Sequence, residues 1–146
     1  MVRILLKLIK RVRRSFYWIW KQQGTPGERA RGIAVGIFSG CFPFFGFQSL
    51  IGIFLASLFK GNHLLAIVGT WISNPLTYLP LYWLNYKVGQ LFFREENQSF
   101  DLSELTQSQM WDQGWIMTIR ILLGSSVVGF IAAIVIGCTV YLLLKE

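Results

Sequence analysis

GIAVGIFSGCFPFFGFQSLIGIFLASLF, residues 32–59, runs for 28 residues without an Asp, Glu, Lys or Arg. A straight helix of that length would extend about 42 Å, past a bilayer hydrocarbon core of about 30 Å. Its middle reads Gly40-Cys-Phe-Pro43-Phe-Phe-Gly46. Proline removes a backbone donor and crowds the preceding turn, and the flanking glycines loosen the chain. Two readings follow: one kinked and tilted span, or two half-helices that meet in a re-entrant hairpin.

Outward from this run the pattern repeats. Lys60-Gly-Asn-His63 is a polar break, and Leu64 to Tyr86 is again free of Asp, Glu, Lys and Arg. That second run is interrupted at Ser73-Asn74-Pro75 and at Pro80. Pro43, Gly46, Pro75 and Pro80 are therefore the expected structural breaks. Backbone broken inside a bilayer must be buried in protein or line a wet cavity, because lipid offers its amides no partner. Ile121 to Leu144 gives 24 uninterrupted, uncharged residues and reads as a clean transmembrane helix. Gly124, Ser125, Ser126, Gly129 and Gly137 lend it small-residue faces for close helix approach. Arg120, just before it, is expected to snorkel toward headgroups, with pairing to an intramembrane partner as the alternative.

Ahead of these segments lies a basic stretch. Leu5, Leu8, Ile9, Val12, Phe16 and Ile19 share one helical face, and Arg3, Lys7, Lys10, Arg14 and Lys21 the other. Such a helix suits a headgroup layer, with its cations on anionic lipid phosphates. Thr25-Pro26-Gly-Glu28 has the spacing of a capping box with proline at the first helical position, so a new helix should begin there. No cleavable signal peptide is expected, because the first twenty residues are basic throughout and lack an apolar core.

Composition agrees. Hydrophobic residues make up 53% and charged residues 14%, against about a quarter charged in ordinary soluble domains. The formal net charge of +7 is unevenly spread. Nine of the fourteen Lys and Arg precede Gly32, and five of the seven acids fall between Glu95 and Asp112. Nucleic acid is a poor partner for such a chain: the basic residues adjoin apolar runs and no nucleic-acid module follows. The positive-inside rule places the N-terminus in the cytoplasm. If both broken segments cross, or both return, the acidic loop is cytoplasmic too, and Lys145 and Glu146 end on the far side. The fold class is thus an all-α, multi-pass integral membrane protein. It combines an amphipathic surface helix and linker (1–24) with a membrane domain (25–146) that carries a polar loop at 87–114.

The chemistry points away from catalysis. His63 is the only histidine, the carboxylates cluster in the polar loop, and no phosphate-cradling glycine motif occurs. Cys41 and Cys138 lie in apolar runs without metal-ligand spacing. No enzyme activity, metal or cofactor is expected. The polar groups inside the apolar runs are Gln48 and Ser49 after Pro43, and Ser73, Asn74 and Thr77 around Pro75. Gln48 and Asn74 are expected either to meet and tie the two breaks together, or, with Thr77, to line a small polar cavity for an anionic ligand.

Taken together, Gly32-x-x-x-Gly36-x-x-x-Gly40-x-x-Pro43-x-x-Gly46-x-Gln48 resembles the first signature of a bacterial membrane-protein family catalogued as domain of unknown function two-zero-six-two. Gly61-Asn62, Gly69-Thr-Trp-Ile-Ser-Asn74-Pro75-x-Thr77, Pro80, Tyr82, Tyr86 and Gly89 resemble its second signature, so the likeness covers roughly Thr25 to Leu144. The resemblance implies no established activity. Some members carry an added glycosyltransferase domain, and such transferases often use polyprenyl-phosphate sugars, which implies a place near lipid-linked intermediates. No transferase domain lies within these 146 residues. The expected function is a small membrane module that binds or moves an anionic lipid or small solute. The alternative is an accessory subunit or assembly factor of a larger membrane complex, with Gly124, Gly129 and the acidic loop as contact surfaces; a homo-oligomer is compatible with either.

Overall fold

A computed structural model describes Lys7, Lys10, Arg11, Arg14, Tyr17, Trp18, residues 21–92 and residues 107–145, the last segment with side chains from Gly114 onward. Every described element is helical: α1 (Pro26–Gly40), α2 (Gln48–Leu58), α3 (His63–Gly69) with a 3-10 turn (Thr70–Ile72), α4 (Tyr78–Gln90) and α5 (Gln107–Lys145).

The start of α1 follows from local chemistry. The Thr25 hydroxyl accepts from the Glu28 amide at 3.3 Å, and the Glu28 carboxylate accepts from the Thr25 amide at 2.9 Å. Pro26 occupies the first turn, where its missing N–H costs nothing. The helix ends at Gly40, and the chain reverses through Cys41–Phe47, where Gly46 takes a positive φ of 82°.

The first apolar run is a hairpin. Gly52 on α2 faces the Ser39 side chain on α1, and the Asn62 amide donates to the Glu28 carbonyl at 2.9 Å. The end of α2 thus lies beside the start of α1. With 15 and 11 residues, the arms are about 22 and 16 Å long.

The reversal after α2 carries a backbone cost. The Gly61 amide donates to the Ala56 carbonyl at 2.7 Å and the Lys60 amide to the Ser57 carbonyl at 3.4 Å, a paired helix C-terminal motif. Glycine usually holds its left-handed position, but here Lys60 does, at φ 51°. The neighbouring glycine is needed elsewhere, since a Cβ on Gly61 would strike the Gly32 backbone. Lys60→Gly is therefore expected to stabilise the fold by about 1 kcal/mol, read as a raised melting temperature.

The second apolar run continues onward instead of doubling back. Asn62 caps α3, its side chain accepting from the Leu65 amide at 3.0 Å. α3 runs parallel to α1, with Gly32, Gly36 and Gly40 set against the backbones of Asn62, Ala66 and Thr70 in turn. The chain breaks at Ser73–Thr77 and resumes as α4. Pro75 lies in this break, whereas Pro80 sits in the first turn of α4 and interrupts nothing; the expectation of a break there is corrected, because a first-turn N–H has no helical acceptor to lose.

α5 is the return path. Gly89 and Gly124 bring α4 and α5 into backbone contact at Arg120 and Asn85, while Gly129 meets Phe38 and Cys41 and Gly137 meets Ala34. Both α4 and α1 therefore run antiparallel to α5, α4 along its first half and α1 along its second. Ala30, Ile33, Ile37, Leu65, Val140 and Leu144 form the core at the α1 end. One segment returns and the other continues, so Lys145 comes back to the end of the bundle that holds Arg31 and Lys60, and Gln90 closes α4 toward the opposite end. Gly114–Lys145 is long and apolar enough to cross a membrane, yet only 17% of its most apolar window is buried.

Lys7, Lys10, Arg14 and Lys21 are helical and exposed, and the Lys21 ammonium lies 4.8 Å from the centre of the Tyr17 ring. Arg3 and the expected apolar face of this helix lie outside the described residues, as do Glu95, Glu96, Asp101 and Glu104.

Candidate functional site

Gln48 begins α2 directly after the hairpin turn and is buried. Its amide nitrogen donates to the Phe42 carbonyl at 2.7 Å and, longer, to the Tyr82 hydroxyl at 3.4 Å. Its amide oxygen accepts from the Ser73 hydroxyl at 3.0 Å. One side chain thus links the turn of the first apolar run to the break of the second. The expected partner was Asn74; the neighbouring Ser73 makes the contact. Ser49 meets the Thr70 hydroxyl at 3.3 Å on the same side.

Asn74 and Thr77 instead close the break upon itself. The Asn74 side chain accepts from the Leu76 amide at 2.9 Å, and the Thr77 hydroxyl accepts from the Asn74 amide at 3.0 Å while donating to the Ile72 carbonyl at 2.6 Å. Thr77 and Tyr78 both return their amides to the Asn74 carbonyl at 2.9 Å. Such short polar side chains stabilise turns by supplying the bonds that the helix cannot. Phe45 packs edge-on against Tyr78 and Tyr82, at 5.8 and 5.7 Å between ring centres, and seats the hairpin tip on α4.

A separate apolar groove of about 910 Å³ lies between α1, α2 and the second half of α5. Leu55 and Phe59 form one wall, Ile134 and Cys138 another, and Phe38 with Phe130 stands at the inner end. Arg31 and Tyr141 stand at the outer end, where the Arg31 guanidinium donates to the Lys60 carbonyl at 3.1 Å. The size falls within the roughly 300–1,000 Å³ common for small-ligand sites.

The model of a family described as an uncharacterized protein conserved in bacteria (DUF2062) matches residues 9–146. The chain belongs to this family. No curated protein and no solved structure matches it. The match reaches back past Thr25, so DUF2062 includes much of the basic N-terminal helix as well as the two broken segments.

Two polar residues of this DUF2062 chain matter more than the sequence suggested. Asn85, fully buried on α4, donates to the Cys41 carbonyl and to the Ser125 hydroxyl, both at 2.9 Å. It joins α1, α4 and α5 at one point. The available signal was an amide inside an apolar run, facing a serine in another. Arg120, expected to snorkel, is only 9% exposed; it donates to the Tyr86 hydroxyl at 3.3 Å and lies 6.0 Å from that ring's centre. The cation is held against α4, its charge shared with an aromatic face.

The small residues of the last helix are also used within the chain, since Gly124 and Gly129 are covered by α4 and α1. Both cysteines are free; Cys41 is buried and Cys138 is exposed along the groove. His63 lies 2.8 Å from the Ser57 hydroxyl. The same hydroxyl lies 3.1 Å from the Ile53 carbonyl one turn back in α2.

Proposed function

We propose that this DUF2062 chain is a small, non-enzymatic membrane module that binds or moves an anionic lipid or small solute. The observation that carries the reading is the apolar groove with Arg31 at its mouth. Apolar walls with a cation at one end match an amphiphile of opposite charge. Gln48, Asn74 and Thr77 use their hydrogen bonds within the chain, so on this reading they hold the broken segments in place and leave the ligand to the groove.

The membrane setting has its own support. Phe54, Trp71, Leu76, Leu79, Trp83 and Phe130 are all exposed, an apolar belt that water would disfavour. On this reading the hairpin is re-entrant, because its arms are too short to cross about 30 Å. α3 and α4 together, at about 35 Å, make one broken crossing, and α5 makes the return. The end with Arg29, Arg31, Lys60 and Lys145 is cytoplasmic by the positive-inside rule, and the acidic loop lies across the membrane. Single cysteines placed at Lys60 and at Lys145, with Cys138 replaced by serine, are expected to be labelled from the same, cytoplasmic face. Labelling from opposite faces would refute the arrangement.

Native mass spectrometry of the protein released gently from its membrane tests the function. Retained anionic lipid supports the reading. A stoichiometric protein companion with no retained lipid would replace it with the accessory-subunit reading, for which the exposed ridge Phe130, Ile131, Ile134 and Val135 on α5 is available.

A further inference from the structure

Resting on the reading just given, we infer that the groove takes one hydrocarbon chain of an anionic phospholipid, drawn from the leaflet at the basic end, with Arg31 holding the headgroup phosphate.

Length argues for a single chain. The groove runs from Gly27 to Phe38 along α1 and from Phe130 to Tyr141 along α5. Eleven residues of helix span about 16 Å. One leaflet of a bilayer core is about 15 Å deep, half of roughly 30 Å. The groove is therefore about as deep as one leaflet, with Phe38 and Phe130 lining its inner end.

Charge argues for the headgroup. Among the described residues Arg31 is the only charged side chain lining the groove, and it stands at the outer end. Its guanidinium has five N–H donors, of which the Lys60 carbonyl is given one. The planar fork suits a phosphate diester, and in an anionic lipid no headgroup ammonium offsets the charge that Arg31 meets, as choline does in a zwitterionic one. The only described acid nearby, Glu28, is turned to the Thr25 amide as a cap, so it does not oppose an anion at the mouth.

The walls argue against a purely structural gap. Ala30, Ala34, Ala133 and Gly137 keep the floor low between α1 and α5, while Leu55, Phe59, Ile134 and Leu142 stand higher around it. Larger residues at the alanines would fill the space and bury more apolar surface. The small ones leave the groove open.

The test uses the full-length protein in mild detergent, offered phosphatidylglycerol or phosphatidylcholine with identical acyl chains and read by native mass spectrometry. The wild type is expected to retain one phosphatidylglycerol per protein. Arg31→Gln should lower that retention about tenfold, the worth of a charge-assisted hydrogen bond, and lower the weaker phosphatidylcholine binding by less. Ala133→Trp, which fills the groove, should remove both. Should that variant misfold, N-phenylmaleimide attached to Cys138 of the already folded protein blocks the same space, since Cys41 is buried. Phosphatidylglycerol retained at wild-type level after either block would overturn the inference while leaving lipid handling as the function, with its site elsewhere. A lipid-free dimer blocked by the maleimide would overturn both, and assign the groove to a second copy of the chain.

Discussion

Gly124→Ala is expected to lower the stability of the folded protein by about 3 kcal/mol, and Gly124→Leu to prevent folding. The reason is backbone contact. A Cβ at Gly124 would overlap the Asn85 carbonyl oxygen and crowd the carbon behind it. Neither atom belongs to a side chain that can rotate away, so α4 and α5 would have to separate along their whole shared length. Gly36 on α1 is the matching position against α3, where a Cβ would overlap the Ala66 carbonyl, and Gly36→Ala should behave alike. Gly114→Ala is the control: nothing lies within 4 Å of its position, and removing a helical glycine should add up to about 1 kcal/mol. Denaturant unfolding in detergent micelles, followed by tryptophan fluorescence, reads all three. A Gly124→Ala protein that unfolds with the wild type would mean that α4 and α5 do not approach as closely as described.

These glycines show what the sequence could and could not convey. Gly32, Gly36 and Gly40 were legible as a spaced signature, and their spacing of four is that of one helical face. The sequence did not say which element would approach that face. It proved to be α3, two segments away, and not the last helix, where small residues were equally evident. The capping box at Thr25 was legible in full because capping is settled within four residues. Pro43 and Gly46 marked where the first apolar run turns, but a proline fixes a break and not an angle. The choice between kink and hairpin lies in distant contacts: Gly61 against Gly32, and the Asn62 amide on the Glu28 carbonyl. The second run has the same kind of break at Pro75 but no such partner behind it, so it continues. From that single difference comes the position of Lys145 at the same end of the bundle as Arg31.

The candidate site was less legible than the fold. Gln48, Asn74 and Thr77 were identified as polar groups in apolar surroundings, and each is committed to the breaks. The groove escaped notice because no one segment contains it. Its floor is made of alanines and glycine from α1 and α5, its wall of α2, and only their assembly leaves the space open.

Asn85 carries the second large effect. Asn85→Leu keeps the branched shape and the number of heavy atoms and removes both donors, so it tests hydrogen bonding without opening a cavity. The expected loss is about 2–3 kcal/mol. The Cys41 carbonyl lies past the last residue of α1, where the helix has no further N–H to offer it. Without Asn85 that carbonyl would remain buried beside α4 with an apolar neighbour. Pairs between helices in lipid average only about 0.6 kcal/mol, because separated helices find other partners there; a backbone carbonyl fixed at a hairpin turn has no such freedom. Ser125→Ala alone should cost less, since the Ser125 hydroxyl already donates to the Ile121 carbonyl at 2.7 Å. Combined with Asn85→Leu it should add almost nothing, because the shared bond is already gone. Strict additivity of the two substitutions would show that Asn85 acts through volume alone. The junction of α1, α4 and α5 would then be held by its glycines, and the amide would be incidental to the fold.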